Sequence, residues 1–395
     1  MKNENLVPKV RFKGFSDPWE QRKLSEIGKI QGGGTPDSGK PEYWNGTINW
    51  FTPTEVSNNG FLENSIRKIT NLGLKKSSAT LLPPKTVLIT SRAGVGNMGI
   101  LKYPASTNQG FQSFIPDSNT DEYFIYSMQP FISRIANRWA SGSTFTEISG
   151  KQMAKIEIGI PDTSEQKKIS GLMKIIDNLI AANEDELEQL KTLKKLLMQK
   201  IFSQEWRFKG FTDPWEQRKL GEFLTESRIR GTDGLDANKL TVKLWGKGVV
   251  EKNSAMRGSV QTKYYVRRSG QFIYGKLDFL HAAFGIIPNY LDCWESTLDS
   301  PSFDISDEIN SIFLLDYVLR KSFYLKQGEI ANGSRKAKRI HVDTFLNMPI
   351  VVPYLKEQDR IGSILTASTN LIAANEDKLQ QLKELKKYLM QNMFV

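Results

Sequence analysis

"IAANEDELEQLKTLKKLLMQKIF", residues 180–202, returns almost unchanged as "IAANEDKLQQLKELKKYLMQNMF" at residues 372–394. In the first copy Ile176, Ile180, Asn183, Leu187, Leu190, Leu197 and Ile201 follow a three/four spacing, interrupted at Lys194. In the second the stripe is Ile372, Asn375, Leu379, Leu382, Leu389 and Met393, interrupted at Lys386. Such spacing predicts amphipathic helices with an apolar seam. One helix over residues 165–202 would run ~57 Å at 1.5 Å per residue, and its seam needs a cover. The cover that fits is the second copy, paired antiparallel as a coiled coil, so that one helix carries the chain out and the other brings it back. Asn183 and Asn375 could then face each other and set register, the alternative being that each is merely tolerated at the seam's edge. Pro161 and the capping-box pattern Thr163-x-x-Gln166 mark where the first helix begins.

Working outward, a second string is also duplicated. "RFKGFSDPWEQRKLSEI" at 11–27 reappears as "RFKGFTDPWEQRKLGEF" at 207–223, and "IPDTSEQKKI" at 160–169 matches "VPYLKEQDRI" at 352–361 in Pro, Glu, Gln and the last Ile. The order is short repeat, long insert and helical repeat, written twice. The inserts, about 30–158 and 224–350, do not resemble each other. The expected fold is α+β with a pseudo-twofold internal repeat. Its parts are a mixed domain over 1–164 (repeat segment 9–27), a long helix over 165–203, a second mixed domain over 204–356 (repeat segment 205–223) and a long helix over 357–395. Short β-type runs bounded by Gly, Pro and Asn include "TINWFTP", "TVLITS" and "FQSFIP" in the first insert and "TKYYVRR", "GQFIYGK" and "FGIIP" in the second. Residues 121–140, with a proline interruption, and 308–327 read as helical.

The chain of 395 residues carries a formal charge of +11. A surplus of that size favours a polyanionic partner, nucleic acid before acidic membrane. Its one cysteine, Cys293, and two histidines, His281 and His341, exclude an internal disulfide and argue against a zinc cluster. No apolar run approaches a membrane span and the start lacks a signal-peptide core, so a reduced, cytoplasmic setting is expected. Gly94-x-Gly96-x-x-Gly99 formally matches a dinucleotide fingerprint, but "ILKYPASTNQG" follows it and cannot open the required helix. "DPW" at 17–19 and 213–215 echoes the Asp-Pro-Pro-aromatic loop of amino-methyltransferases. It lacks the second proline and any donor-binding loop, so a proline-fixed turn is the better reading.

What remains is binding chemistry. In the first insert the candidates for DNA contact are Gly33, Thr35, Lys40, Trp44, Trp50, Thr52, Ser91, Arg92, Asn108, Gln109, Ser143 and Thr144. In the second, cations interleave with aromatics and glycine: Arg228, Arg230, Lys247, Lys263, Tyr265, Arg267, Lys276, Ser334, Arg335, Lys336 and Arg339. Arg and Lys neutralise phosphates, and Arg, Asn and Gln can read base edges.

The combination of "GGGTPDSGKPEYWNGTINWFTPTEV", "SRAGVGNMG" followed by "TNQGFQSFIP", and "SGSTFTEI" running out through "IGIPDTSEQKKI" into a long helix, with the helix repeated at the end, resembles the specificity subunit of Type I restriction–modification systems. The resemblance implies two target-recognition domains, each reading one half of a split site in double-stranded DNA, with the helices as spacer. It implies no catalysis and no cofactor in this chain. The partners would be two modification subunits, which methylate adenine with S-adenosylmethionine, and two restriction subunits, which use ATP and Mg²⁺. Two identical partners need two equivalent surfaces, and the duplicated strings would supply them. Trp19, Trp215, Asn183, Leu187, Leu190, Asn375, Leu379 and Leu382 are the docking candidates. The rival reading is a stand-alone bivalent DNA-binding regulator, which gains nothing from duplicated non-cationic strings. A methyltransferase in its own right lacks the donor-binding motif.

Overall fold

The two apolar stripes fold as two long helices, Thr163–Phe202 and Leu355–Asn392, in the computed structural model, which describes residues 6–56, 60–140, 146–252, 259–330 and 338–395. The chain divides into two units, Met1–Leu187 with Asn375–Val395, and Glu188–Ala374. Each unit therefore holds the beginning of one long helix and the end of the other.

In the first unit Asp177 pairs with Lys386 (2.6 Å) and Glu184 with Lys383 (2.7 Å). Advance along one helix matches retreat along the other, so the two segments run antiparallel. In the second unit Lys194 donates to the Thr369 hydroxyl at 2.7 Å. The two lysines that interrupted the apolar stripes thus each meet a polar partner on the facing helix. Asn183 and Asn375 are both buried, yet no hydrogen bond joins them among the described residues. Asn183 donates its amide to the Leu179 carbonyl (2.7 Å), and the side-chain oxygens of both asparagines lack a partner.

The root of each helix explains the short duplicated peptide. Arg11 grips Glu165 with two parallel hydrogen bonds, Nε at 2.9 Å and Nη2 at 2.7 Å, and donates Nη1 to the Asp17 carbonyl at 2.8 Å. Arg207 repeats this on Glu357 at 3.0 and 2.6 Å and on the Asp213 carbonyl at 2.6 Å. Both carboxylates are buried, and their hydrogen bonds raise the pKa of each arginine. The next residue ties the helix to the insert. Gln166 accepts from the Asp121 backbone N–H (2.9 Å) and donates to the Pro161 carbonyl (2.9 Å); Gln358 does the same with Asn310 (2.9 Å) and Pro353 (2.8 Å). Asp121 and Asn310 in turn N-cap the helices Glu122–Ser127 and Ser311–Val318. The expected capping box at Thr163 and Gln166 is not formed. Asp162 caps instead, accepting from the N–H groups of Ser164 (2.8 Å) and Glu165 (3.0 Å), because Gln166 is committed to the insert.

The "EQRK" of each peptide is a strand with the same register in both copies. Glu20–Lys23 lies antiparallel to Glu157–Ile160, and Glu216–Lys219 to Pro349–Val352. Trp19 and Trp215, expected on a docking surface, are buried in the cores instead. Trp19 packs against Phe124 and Phe394, and Trp215 against Phe313 and Phe202. A large indole beside a Pro-fixed turn gains more from burial than it would exposed.

The inserts differ in their sheets. The first unit has a five-stranded sheet in the order Gly28–Gly32, Gln112–Pro116, Val87–Ile89, Met98–Leu101, Phe61–Leu62, and a three-stranded sheet of Arg67–Ile69, Trp44–Phe51 and Ala105–Thr107. The formal dinucleotide fingerprint is the turn between the antiparallel strands Val87–Ile89 and Met98–Leu101. Gly96 sits there at φ +87°, and a Cβ on it would come within 2.6 Å of Ser133. The second unit has a four-stranded sheet of Leu224–Ser227, Ser302–Ile305, Phe272–Tyr274 and Phe284–Ile286, and a three-stranded sheet of Arg230–Asp233, Lys263–Val266 and Glu295–Ser296. Its core is dominated by aromatics, with Phe272, Tyr274, Phe303 and Phe345 in mutual contact.

Candidate nucleic-acid interface

In the first unit the polar candidates lie on loops that hydrogen bonds bring together. Gly34 donates its N–H to the Thr107 carbonyl (2.9 Å), and the Thr35 hydroxyl bonds the Gln109 side chain. Asn108 donates to the Phe51 carbonyl (3.0 Å) and accepts from Gly110 N–H at its side-chain oxygen (2.8 Å); Ser91 donates to the Gly110 carbonyl (2.8 Å). Loops 33–35, 51–52, 91–92 and 107–110 therefore form one polar cluster. Thr35, Lys40 and Gln109 are exposed, and Gly33, Thr52, Arg92 and Asn108 half-buried.

Three candidates are corrected by burial. Trp44 and Trp50 stack edge to face, 5.1 Å apart, and serve the loop from beneath: their indole N–H groups donate to the Asp37 (3.1 Å) and Gly34 (2.9 Å) carbonyls. Ser91 is fully buried. A side chain closed off in this way cannot meet a base edge. Arg67, not among the candidates read from the sequence, is exposed, with its guanidinium 3.7 Å from the Trp44 ring centre. Its signal in the sequence was slight, a single cation in "NSIRKIT" far from the aromatic string it stacks on.

In the second unit Arg228, Lys276 and Arg339 converge. Lys276 donates its backbone N–H to the Asp299 carbonyl (2.8 Å) and accepts from Ile340 N–H (3.1 Å), which places it between Asp299 and Arg339. Arg339 faces the Asp299 carboxylate at 3.6 Å, and Arg228 pairs with Glu226 at 2.8 Å. Burial lowers the pKa of Lys276, against the pull of Glu226 and Asp299. Arg230, Lys247 and Lys263 are exposed and Tyr265 half-buried. Lys247 sits instead on a turn whose Trp245 is exposed and lies 5.4 Å from His281.

Arg267 is the clearest correction. It is fully buried, and desolvation lowers its pKa to about 10. It donates to the Ser296 hydroxyl (2.7 Å), the Ser302 hydroxyl (3.1 Å) and the carbonyls of Ser227 (3.0 Å) and Thr297 (3.3 Å). Those bonds tie down the segment before Asp299 and take four of the five N–H groups, and burial closes the fifth off from a phosphate. Ser143, Thr144, Ser334, Arg335 and Lys336 lie outside the described residues.

No described helix is long and apolar enough to cross a membrane, and no group of His, Cys, Asp and Glu among the described residues is arranged to hold a metal ion. Residues 16–192 match the family described as the Type I restriction modification DNA specificity domain. The specificity subunit of the Type I restriction enzyme MjaIX from Methanocaldococcus jannaschii is 32% identical over 222 residues, 52% of this chain and 51% of its own. A Type I specificity subunit of Escherichia coli is 31% identical over 169 residues, 40% of this chain and 41% of its own. The chain thus matches about half the length, or less, of these curated relatives. The crystal structure of a Type I S subunit from M. genitalium shares the fold over 98% of this chain and 99% of that one, with a TM-score of 0.64 at 13% identity. A chain from a structural study of Type I complex assembly gives 0.53 at 16% identity, over 94% and 96%. By sequence, residues 16–192 resemble the Type I restriction modification DNA specificity domain, and the chain as a whole shares the fold of a Type I S subunit.

Proposed function

We propose that this chain is the non-catalytic subunit that sets DNA specificity in a Type I restriction–modification complex, with each unit reading one half of a bipartite site. The observation that carries the reading is the contrast inside each unit. The clamp, the strand register and the glutamine tie recur residue for residue, while the loops they present have different sheets and different polar groups. A frame kept constant around variable contents suits one complex that must read two unlike sequences. Adenine methylation with S-adenosylmethionine, and translocation and cleavage with ATP and Mg²⁺, would belong to two modification and two restriction subunits in the cytoplasm. Exposed apolar residues on the helices support docking of such partners: Ile175, Leu179, Leu385 and Tyr388 in the first unit, Leu193, Leu196 and Leu371 in the second. Exposed apolar clusters of this kind mark protein contacts.

The test is replacement of residues 30–158 by the insert of another family member, read by methylation-aware sequencing of host DNA. One half-site should change and the other persist. Loss or change of both together would refute the division of labour. Failure of the chain to co-purify with a methyltransferase would favour a stand-alone regulator.

A further inference from the structure

The second unit carries a groove of about 730 Å³ away from the polar loops. Met198, Phe202 and Ile372 line it with apolar surface, and Lys194, Lys195, Arg320 and Lys321 surround them. Phe202 corresponds in the repeat to Phe394 of the first unit, but the neighbours of the two rings differ. Ten residues after its helix cap Asp121, the first unit has Phe131, whose ring lies 6.3 Å from Phe394. Ten residues after the cap Asn310, the second unit has Arg320. Its guanidinium lies 4.5 Å from the Phe202 ring centre and 3.9 Å from that of Tyr317.

Burial lowers the pKa of Arg320, and among the described residues its polar partners are both on Tyr317, with no carboxylate. The lysines follow the same contrast. In the first unit Lys386 is neutralised by Asp177. In the second, its counterpart Lys194 meets the Thr369 hydroxyl, the residue that stands where Asp177 does; Lys195 and Lys321 form no ion pair among the described residues. A carboxylate in electrostatic reach of Lys194 is Asp316, itself buried and raised in pKa by that burial. A partly desolvated guanidinium without a counter-ion is costly, and an apolar floor ringed by cations has a defined complement.

We propose that this groove binds an acidic amphipathic helix of a partner protein, once per chain. Leu- or Phe-type anchors at helical spacing would lie on Met198, Phe202 and Ile372, and carboxylates would reach Arg320, Lys321 and Lys195. The volume is that of a specific binding pocket. A neutral or basic segment would leave Arg320 unpaired and add repulsion. Because the first unit has Phe131 in place of Arg320 and pairs Lys386 with Asp177, the site is not duplicated. Its occupant is therefore distinct from any partner that uses the repeated surfaces.

The experiment titrates the full-length protein into a fluorescent helical peptide of about 20 residues with Leu at heptad a and d and Glu elsewhere. A composition-matched scramble and a Lys-for-Glu version are the comparators. Binding should be 1:1, weaken with salt, and fall at least tenfold, about 1.4 kcal/mol, in K195E/K321E. Both residues are exposed, so their exchange leaves the core intact. R134E in the first unit should have no effect. Equal binding of the scramble or the lysine peptide, no response to K195E/K321E, or a 2:1 stoichiometry would overturn the proposal. So would preferential uptake of phosphatidylglycerol vesicles, or self-association that K321E abolishes, since either names a different occupant.

Discussion

Removing Arg207 tests whether the buried clamp holds the helix root. In Arg207→Met the Glu357 carboxylate stays buried and loses both of its strong hydrogen bonds, 3.0 and 2.6 Å. No other side chain donates to it among the described residues, since the Trp215 indole N–H has no partner at all. Breaking a buried pair from one side costs about 3–5 kcal/mol. For a unit of this size each kcal/mol moves Tm by about 2–4 °C, so the second unit should melt about 6–20 °C lower. The first unit predicts a smaller loss for Arg11→Met, because Trp19 Nε1 still donates to Glu165 at 3.2 Å. One surviving hydrogen bond offsets about 1 kcal/mol. The double variant Arg207→Met/Glu357→Met removes both charges and should recover most of the stability. Tryptophan fluorescence during thermal and urea unfolding gives the ordering, and hydrogen exchange over 216–219 and 349–352 assigns it to the second unit. A single variant as stable as the parent, or a double variant no better than the single, would refute a clamp whose strength comes from charge pairing.

Neutralising Arg228, Lys276 or Arg339 singly should weaken DNA binding and flatten the log K against log salt slope by roughly 0.9 for each true phosphate contact. Unchanged slopes would assign the cluster to solvent or to a protein partner. Gly33→Ala should disrupt the first unit's polar loop, since a Cβ there would overlap Thr107 and the Asn108 carbonyl. We expect at least tenfold weaker DNA binding, about 1.4 kcal/mol, with the melting of the second unit unchanged; parental affinity would show that this loop is not in the interface.

How far the sequence could be read depended on whether the deciding contact was local. Helix periodicity and short β-type runs are local signals, so the long helices and strands such as Val87–Ile89 and Phe272–Tyr274 were legible. Burial of polar candidates was not. Lys263 is exposed on the strand Lys263–Val266, and alternation would put Arg267 on the same side. Arg267 is instead covered because Ser296, Thr297 and Ser302, some 30 residues on, fold over it and take its donors. Trp44 and Trp50 stand among the candidates for DNA contact, but the loop they support closes above them.

The duplicated peptide shows what repetition within one chain does and does not imply. Two equivalent copies were read as two docking surfaces for a repeated partner. Much of the duplication has a sufficient cause inside each unit: Arg11 and Arg207, Trp19 and Trp215, Glu165 and Glu357, and Gln166 and Gln358 are the parts of one helix-root joint built twice. These residues would recur even if nothing ever bound. Only duplicates that stand outside the joint and the cores therefore speak for a partner. Lys13 and Lys209 are such a pair, as are Leu179 and Leu371, Leu193 and Leu385, and Leu196 with its counterpart Tyr388, all exposed. Exposed leucines add little to a folded unit, since burial is what makes an apolar side chain stabilising. Their recurrence at matching places on both helices is the part of the repeat that folding does not explain. Replacing Leu193 and Leu385 by Glu separates the two causes: both units should keep their stability while methyltransferase co-purification is lost, whereas loss of folding would return these leucines to the joint.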